Sequence, residues 1–177
     1  MELESRIKEL GKRLQGISFH REARYTVSYG FDATGRRGRC DAVVFPRSLD
    51  DLRRTVSEAR RAGVPLFMRG AGTGFSGGSV PAGGIVVSTE KMDRVLGLDL
   101  EGRTVTVESG IVNYGLQEYL APHGLFYPPD PASFRVSTIG GNIAENAGGP
   151  RAYKYGVTRR YVKSIVWIDS DGEVIES

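Results

Sequence analysis

A glycine-rich stretch, RGAGTGFSGGSVPAGG at residues 69–84, constrains the fold of this chain more than any other feature. It stands between two apolar runs, VPLFMR at 64–69 and IVVST at 85–89, that are typical of β-strands. It contains a G-x-G-x-x-G pattern, which in a dinucleotide-binding fold forms a phosphate-binding turn directly before a helix. Here Pro81 and then a strand follow the glycines, so the sequence argues against that kind of turn.

A loop between strands can bind a phosphate by another route. Glycine adopts φ angles closed to other residues, so successive backbone N–H groups can converge on one anion, and a pyrophosphate can approach the chain closely. A hairpin needs only two to five loop residues, whereas the loop at 70–84 is much longer. We therefore predict a phosphate-binding loop rather than a simple spacer.

The first half of the chain predicts a mixture of helices and parallel strands. Residues 3–15 are typical of a helix, and 25–41 of an irregular segment that wraps other structure. AVVFP at 42–46 predicts a strand, and Ser48 then caps a helix that Gly63 ends. With the strand at 64–69, these elements form a β-α-β unit and begin a parallel sheet.

The second half predicts two hairpins, at 94–108 and 162–177, and a helix at 113–123. Between them lies LFYPPDPASFRVSTIGGNIAENAGGPRAYKYGVTRRYV at 125–162, where prolines stiffen the chain and two glycine pairs bracket small residues and two asparagines. This composition suits close contact with a flat or extended ligand. We predict the α+β class, with an N-terminal helix and wrapping segment at 1–39 and a binding domain at 40–177.

Composition excludes several functions. The net charge is only +3, and the arginines of the helix that starts after Ser48 alternate with acidic residues without interleaved aromatics, so we predict no nucleic-acid partner. One cysteine, Cys40, and two histidines, His20 and His123, give neither a disulfide nor a metal site. No apolar run approaches the roughly 20 residues of a membrane span, and no signal peptide is evident, so we predict a cytoplasmic protein.

Four ordered motifs, RGAGTGFSGGSVP, PPDPASF, STIGGNIAENAGG and KYGVT, resemble the FAD-binding domain of the vanillyl-alcohol oxidase and p-cresol methylhydroxylase (PCMH) type. Within it they are most similar to the branch that contains the flavin-binding chain of glycolate oxidase (GlcD) and D-lactate dehydrogenase. The resemblance covers residues from about 40 to 177. It implies an FAD-binding PCMH-type domain that is incomplete at its C-terminus, since the family continues with a further flavin-binding segment and a substrate domain that holds the catalytic histidines and any metal.

The same resemblance assigns cofactor-binding residues. In that family the first glycine loop wraps the FAD pyrophosphate, which here implies Gly70, Ala71, Gly72, Thr73, Gly74, Phe75 and Ser76. The flavin and ribityl side would meet Pro129, Asp130, Thr138, Gly140, Gly141, Asn142 and Ala144. The rest of the cofactor would lie near Gly148, Tyr155, Gly156 and Val157. Relatives with covalent flavin carry a histidine near the position of Thr73, so non-covalent FAD is expected.

The implied activity is oxidation of a small 2-hydroxy acid of the glycolate or D-lactate type, with hydride transfer to flavin N5. No catalytic residue or metal ligand is assigned, and the chain alone is expected to be inactive. The alternative is a non-catalytic flavin-carrying or assembly subunit that works with a partner chain supplying the missing C-terminal half. Arg151, Tyr153 and Lys154 could face the flavin ring or a substrate carboxylate, or could form a solvated turn.

Overall fold

The N-terminal half folds around one four-stranded sheet. The structure, a computed structural model, describes residues 2–177. The elements of this half are helix α1 (Leu3–Arg13), strand β1 (Ser18–His20), helix α2 (Ala23–Ser28), strand β2 (Ala42–Phe45), helix α3 (Leu49–Arg61), strand β3 (Leu66–Arg69) and strand β4 (Ile85–Ser88). Helix α3 begins as its sequence predicted, because the Ser48 side chain accepts a hydrogen bond from the Asp51 N–H at 3.1 Å.

The strand order of this sheet is β1-β2-β4-β3. Both β2 and β3 run parallel to β4, and Ala42 and Leu66 both align with Ile85. Strand β1 is antiparallel to β2. The β-α-β unit therefore exists, but its two strands are not neighbours, since β4 lies between them. The central strands β2 and β4 are buried along their whole length, as their continuous apolar sequences indicate.

The two faces of the sheet carry separate apolar clusters. On one face, Ile7 and Leu10 of α1 pack with Ala59 of α3 and with side chains of β2 and β4. On the other face, Tyr25 and Tyr29 pack against Phe45 and its neighbours. Residues 25–41 were therefore not wholly irregular as predicted. Two tyrosines four residues apart meet the sheet from one side of a helical turn, and this packing accounts for α2.

The C-terminal half has smaller sheets and short helices. A hairpin of β5 (Val95–Asp99) and β6 (Thr104–Val107) precedes α4 (Asn113–Leu120), α5 (Ile139–Ala144) and α6 (Ala152–Tyr155), and a second hairpin of β7 (Val166–Ile168) and β8 (Val174–Glu176) follows. Short 3-10 turns cover Ala121–His123 and Thr158–Tyr161. Helix α4 packs on the first hairpin through Leu116 and Leu120, together with Ile111 and Ile139. Both predicted hairpins and the helix after Val112 are confirmed.

Nowhere in residues 2–177 is a helix long and apolar enough to cross a membrane.

Candidate cofactor-binding site

The glycine loop connects β3 to β4, and no helix forms within residues 70–84. This excludes a Rossmann-type turn, as predicted. The two strands are parallel neighbours, however, so the chain must cross back to the same end of the sheet, which takes a dozen or more residues. The length of the loop is thus explained by topology, and our use of that length as a sign of phosphate binding was wrong.

Unpaired backbone donors are the better sign. From Ala71 to Gly77, no backbone N–H group donates a hydrogen bond to any residue of the described chain. Gly72 and Gly77 have φ angles of +67° and +81°, in the left-handed region that favours glycine. The loop therefore presents a run of free N–H donors on a backbone that turns repeatedly, which is the composition of an anion-binding concavity.

The structure brings this loop against the second glycine motif. A Cβ atom on Gly70 would lie 2.3 Å from Thr138 Oγ1, so only glycine permits this approach. Farther along the loop, Ser76 Oγ donates a hydrogen bond to Glu145 Oε1 at 2.6 Å. Two segments about 70 residues apart in sequence thus form the two sides of one site.

The second motif folds as α5, which the sequence did not predict. Thr138 caps the helix, since its Oγ1 accepts a hydrogen bond from the Gly141 N–H at 3.1 Å. Gly140 packs so closely that an added Cβ would lie 2.7 Å from the Ser109 Cβ. Asn142 is 2% exposed, and its buried Nδ2 donates to no described residue. A buried amide without an acceptor fits a site that a polar ligand completes.

The proline-rich segment is fixed in place by α4. Asn113 Nδ2 donates to the Pro129 carbonyl at 3.1 Å, and Gln117 Oε1 accepts from the Tyr127 N–H at 3.2 Å. The next residue, Asp130, donates its N–H to the Gly148 carbonyl at 3.1 Å. Its carboxylate accepts from the Arg151 N–H at 2.9 Å. Asp130 and Gly148 therefore lie together, as the shared assignment to one cofactor requires.

The remaining predicted residues are placed less closely. Phe75 is 80% exposed, and Ala144 lies on the exposed side of α5. Tyr155 ends α6, Gly156 follows it at a φ of +86°, and the Val157 side chain approaches Gly148.

Three polar residues left open by the sequence have defined positions. Arg151 Nε lies 3.4 Å from Asp130 Oδ2, and Lys154 Nζ lies 4.8 Å from the centre of the Tyr155 ring. Tyr153 is fully exposed. The Cys40 thiol is buried, which raises its pKa to about 11 and keeps it protonated near neutral pH. It is therefore not an activated nucleophile, in line with its sequence context.

A cavity of about 510 Å³ opens beside Gly70, Ala71 and Thr138. The rest of its lining was not singled out from the sequence: Glu90, Asp93, Val95, Gly110, Ile111, Val112, Gly115, Tyr119 and Val136. The apolar members looked like ordinary hairpin and helix core, and only the isolated Gly110 and Gly115 hinted at a close approach. At its edge, Tyr29 donates to Glu90 Oε2 at 2.5 Å, and burial together with this carboxylate raises the Tyr29 pKa.

No three histidine, cysteine, aspartate or glutamate side chains converge on a possible metal position within residues 2–177. The site instead consists of a donor-rich glycine loop, a second glycine motif with a buried free amide, and an adjoining cavity. These features define a binding domain for an extended, phosphate-bearing cofactor. The chain belongs to the FAD binding domain family, whose sequence model matches residues 40–177.

Curated relatives agree with this family. The chain is 41% identical over 151 residues to glycolate oxidase subunit GlcD of Bacillus subtilis, covering 84% of this chain and 32% of that protein. It is 40% identical over 154 residues to D-lactate dehydrogenase of Archaeoglobus fulgidus, covering 84% and 34%. It is 38% identical over 136 residues to D-2-hydroxyglutarate dehydrogenase of Stutzerimonas stutzeri, covering 76% and 29%. The chain thus spans about a third of the length of these relatives.

Solved structures show the same fold. Alkyldihydroxyacetonephosphate synthase superposes with a TM-score of 0.87 at 22% identity, covering 100% of this chain and 38% of that one. A variant of berberine bridge enzyme superposes with a TM-score of 0.81 at 20% identity, covering 96% and 37%. The predicted family, its PCMH-type α+β fold and FAD as the cofactor are confirmed.

Proposed function

We propose that this chain is the FAD-binding portion of an oxidoreductase that oxidises a small 2-hydroxy acid. The relatives' names support the substrate class, because glycolate, D-lactate and D-2-hydroxyglutarate all carry a hydroxyl group beside a carboxylate. The observation that carries the proposal is the run of free N–H groups from Ala71 to Gly77. FAD, when bound, supplies the acceptor for the hydride that leaves the substrate's C2 carbon.

The protein's own residues bind and orient. We assign the diphosphate to the backbone of Gly70, Ala71, Gly72, Thr73, Gly74, Phe75 and Ser76. The flavin and ribityl portion is assigned to Pro129, Asp130, Thr138, Gly140, Gly141, Asn142 and Ala144, where the free Asn142 amide offers a donor to a polar atom of the ligand. Gly148, Tyr155, Gly156 and Val157 complete the assignment. Thr73 replaces the histidine of covalent relatives, so the attachment is non-covalent.

We assign no catalytic side chain within residues 2–177, and we expect this chain alone to be inactive. The second hairpin exposes Val166, Trp167 and Val174, which are each 44–50% exposed. A second cavity of about 420 Å³ opens nearby, beside Ile143 and Val162. Exposed apolar side chains next to a cavity favour contact with a further polypeptide portion. The same surface supports the alternative, a non-catalytic flavin-carrying subunit that works only with a partner chain.

Two measurements test the proposal. Titration of the purified chain with FAD, followed by flavin fluorescence and by calorimetry, should show one site, and ADP should compete for it. Oxidation of glycolate, D-lactate and D-2-hydroxyglutarate with an artificial electron acceptor should appear only when the C-terminal portion of a relative such as Bacillus subtilis GlcD is added as a separate chain.

Absence of any FAD or ADP binding would contradict the site. FAD binding without activity under any of these conditions would favour the non-catalytic alternative. Activity of the 177-residue chain by itself would show that its catalytic groups lie within this chain. A cytoplasmic location stays a prediction.

A further inference from the structure

Arg69 places a positive charge behind the glycine loop. It is the last residue of β3, and its guanidinium lies directly against Gly72, where an added Cβ would come within 2.3 Å of Nη2. The side chain is held from the opposite side as well. Nη1 donates to the Phe31 carbonyl at 2.6 Å, and the guanidinium carbon lies 5.3 Å from the centre of the Tyr29 ring. The position of this cation is therefore well defined.

This cation has no carboxylate within 4.0 Å among the described residues. It is partly buried, and burial lowers its pKa, although Tyr29, Asp32 and Glu90 act in the opposite direction. Desolvation of a charge without a close ion pair costs free energy, so a nearby anion would offset that cost. The nearest open surface is the loop whose N–H groups have no protein acceptor.

The residues that hold Arg69 precede the part of the chain that the family model matches, which begins at residue 40. Besides the Phe31 carbonyl, the Ala33 N–H donates to the Gly72 carbonyl at 2.9 Å. The segment 29–33 and Arg69 thus grip the loop at Gly72 from behind, and leave the free N–H groups of the loop without competing side chains.

We propose that Arg69 is a positioning residue for the cofactor's diphosphate, which holds the loop through Gly72 and lends its positive charge to the phosphates from behind the backbone. This inference rests on the function proposed above. It extends that function by assigning charge recognition to a side chain that does not touch the phosphates.

The test compares three ligands on three variants of the full chain. FAD and ADP carry the diphosphate, whereas riboflavin does not. Arg69→Gln removes the charge, Arg69→Lys retains it without the planar fork, and Arg54→Gln is the control. Arg54 lies in α3 and also donates to backbone carbonyls, those of Arg13 and Gln15, but away from the loop.

We expect Arg69→Gln to weaken ADP and FAD binding about tenfold at low salt and to leave riboflavin binding unchanged. The weakening should shrink as salt screens the charge. Arg69→Lys should recover part of the loss, and Arg54→Gln should match wild type for all three ligands. Amide hydrogen exchange should also accelerate at residues 70–77 in Arg69→Gln and not in Arg54→Gln.

Wild-type ADP affinity in Arg69→Gln would overturn the inference while leaving the proposed function intact. Equal weakening of FAD and riboflavin would reduce Arg69 to a structural role and would also overturn it. If Arg69→Gln does not fold, Arg69→Lys decides, since unchanged salt dependence together with a tenfold loss of ADP affinity would exclude a charge effect. A wild-type chain that binds neither ADP nor FAD would refute the proposed function itself.

Discussion

Replacing Gly72 with alanine tests whether the loop has the conformation described here. Gly72 has a φ of +67°, and the space beside its Cα is filled by the Arg69 guanidinium. An alanine would have to adopt a left-handed conformation, which costs about 1 kcal/mol. Its Cβ would also push Arg69 away from the Phe31 carbonyl, and a lost hydrogen bond from a charged donor costs about 2 kcal/mol.

The two effects together should lower the free energy of unfolding by about 3 kcal/mol, a large share of the roughly 5–15 kcal/mol that is typical of a domain. With a urea m-value of about 2 kcal/mol/M, the unfolding midpoint, followed by circular dichroism, should fall by about 1.5 M. FAD affinity should fall as well, because the donors at 71–77 lose their arrangement. Gly72→Asp, which adds a negative charge next to the diphosphate, should abolish FAD binding.

Gly74→Ala is the matched control for stability. Gly74 does not have a positive φ, and an added Cβ would meet only the flexible end of Glu145, at 3.1 Å. Its unfolding midpoint should stay within about 0.3 M of wild type. A wild-type midpoint for Gly72→Ala, or an equal loss in both variants, would refute the argument from Gly72.

Three further outcomes follow from the site and its surroundings. FAD should be released intact by acid or heat, since Thr73 stands where covalent relatives carry histidine, and flavin absorbance that stays with the precipitated chain would contradict this. Glu145→Gln should bind FAD about threefold more tightly at low salt, because the carboxylate that accepts from Ser76 Oγ places a negative charge beside the loop; unchanged affinity would locate the diphosphate elsewhere. Hydrogen bonds from Arg94 hold the pKa of Glu108 below its usual value, so this pair stabilises the fold above the unfolded pKa of about 4.3 and is lost as pH falls through the lower folded pKa. The urea midpoints of wild type and Glu108→Gln should therefore differ at neutral pH and converge in acid, and a constant difference would rule this out.

Local patterns were sufficient for much of the fold and for the family. Continuous apolar runs predicted β2 and β4, a serine cap predicted the start of α3, and Pro81 with the following strand excluded a Rossmann turn. These signals could be read because strand periodicity, helix caps and turn residues act over a few residues. Four ordered motifs, which are also local, identified the FAD-binding family.

Tertiary structure alone decided how these elements meet. Insertion of β4 between β2 and β3 made the loop a crossover and explained its length. Packing against Phe45 folded α2, and chain reversal placed Thr138 against Gly70 and Glu145 against Ser76. The free Asn142 amide and the cation behind Gly72 likewise depend on residues far apart in sequence. Such contacts form because whole surfaces exclude water together, and that free energy belongs to the packed pair and to neither segment alone.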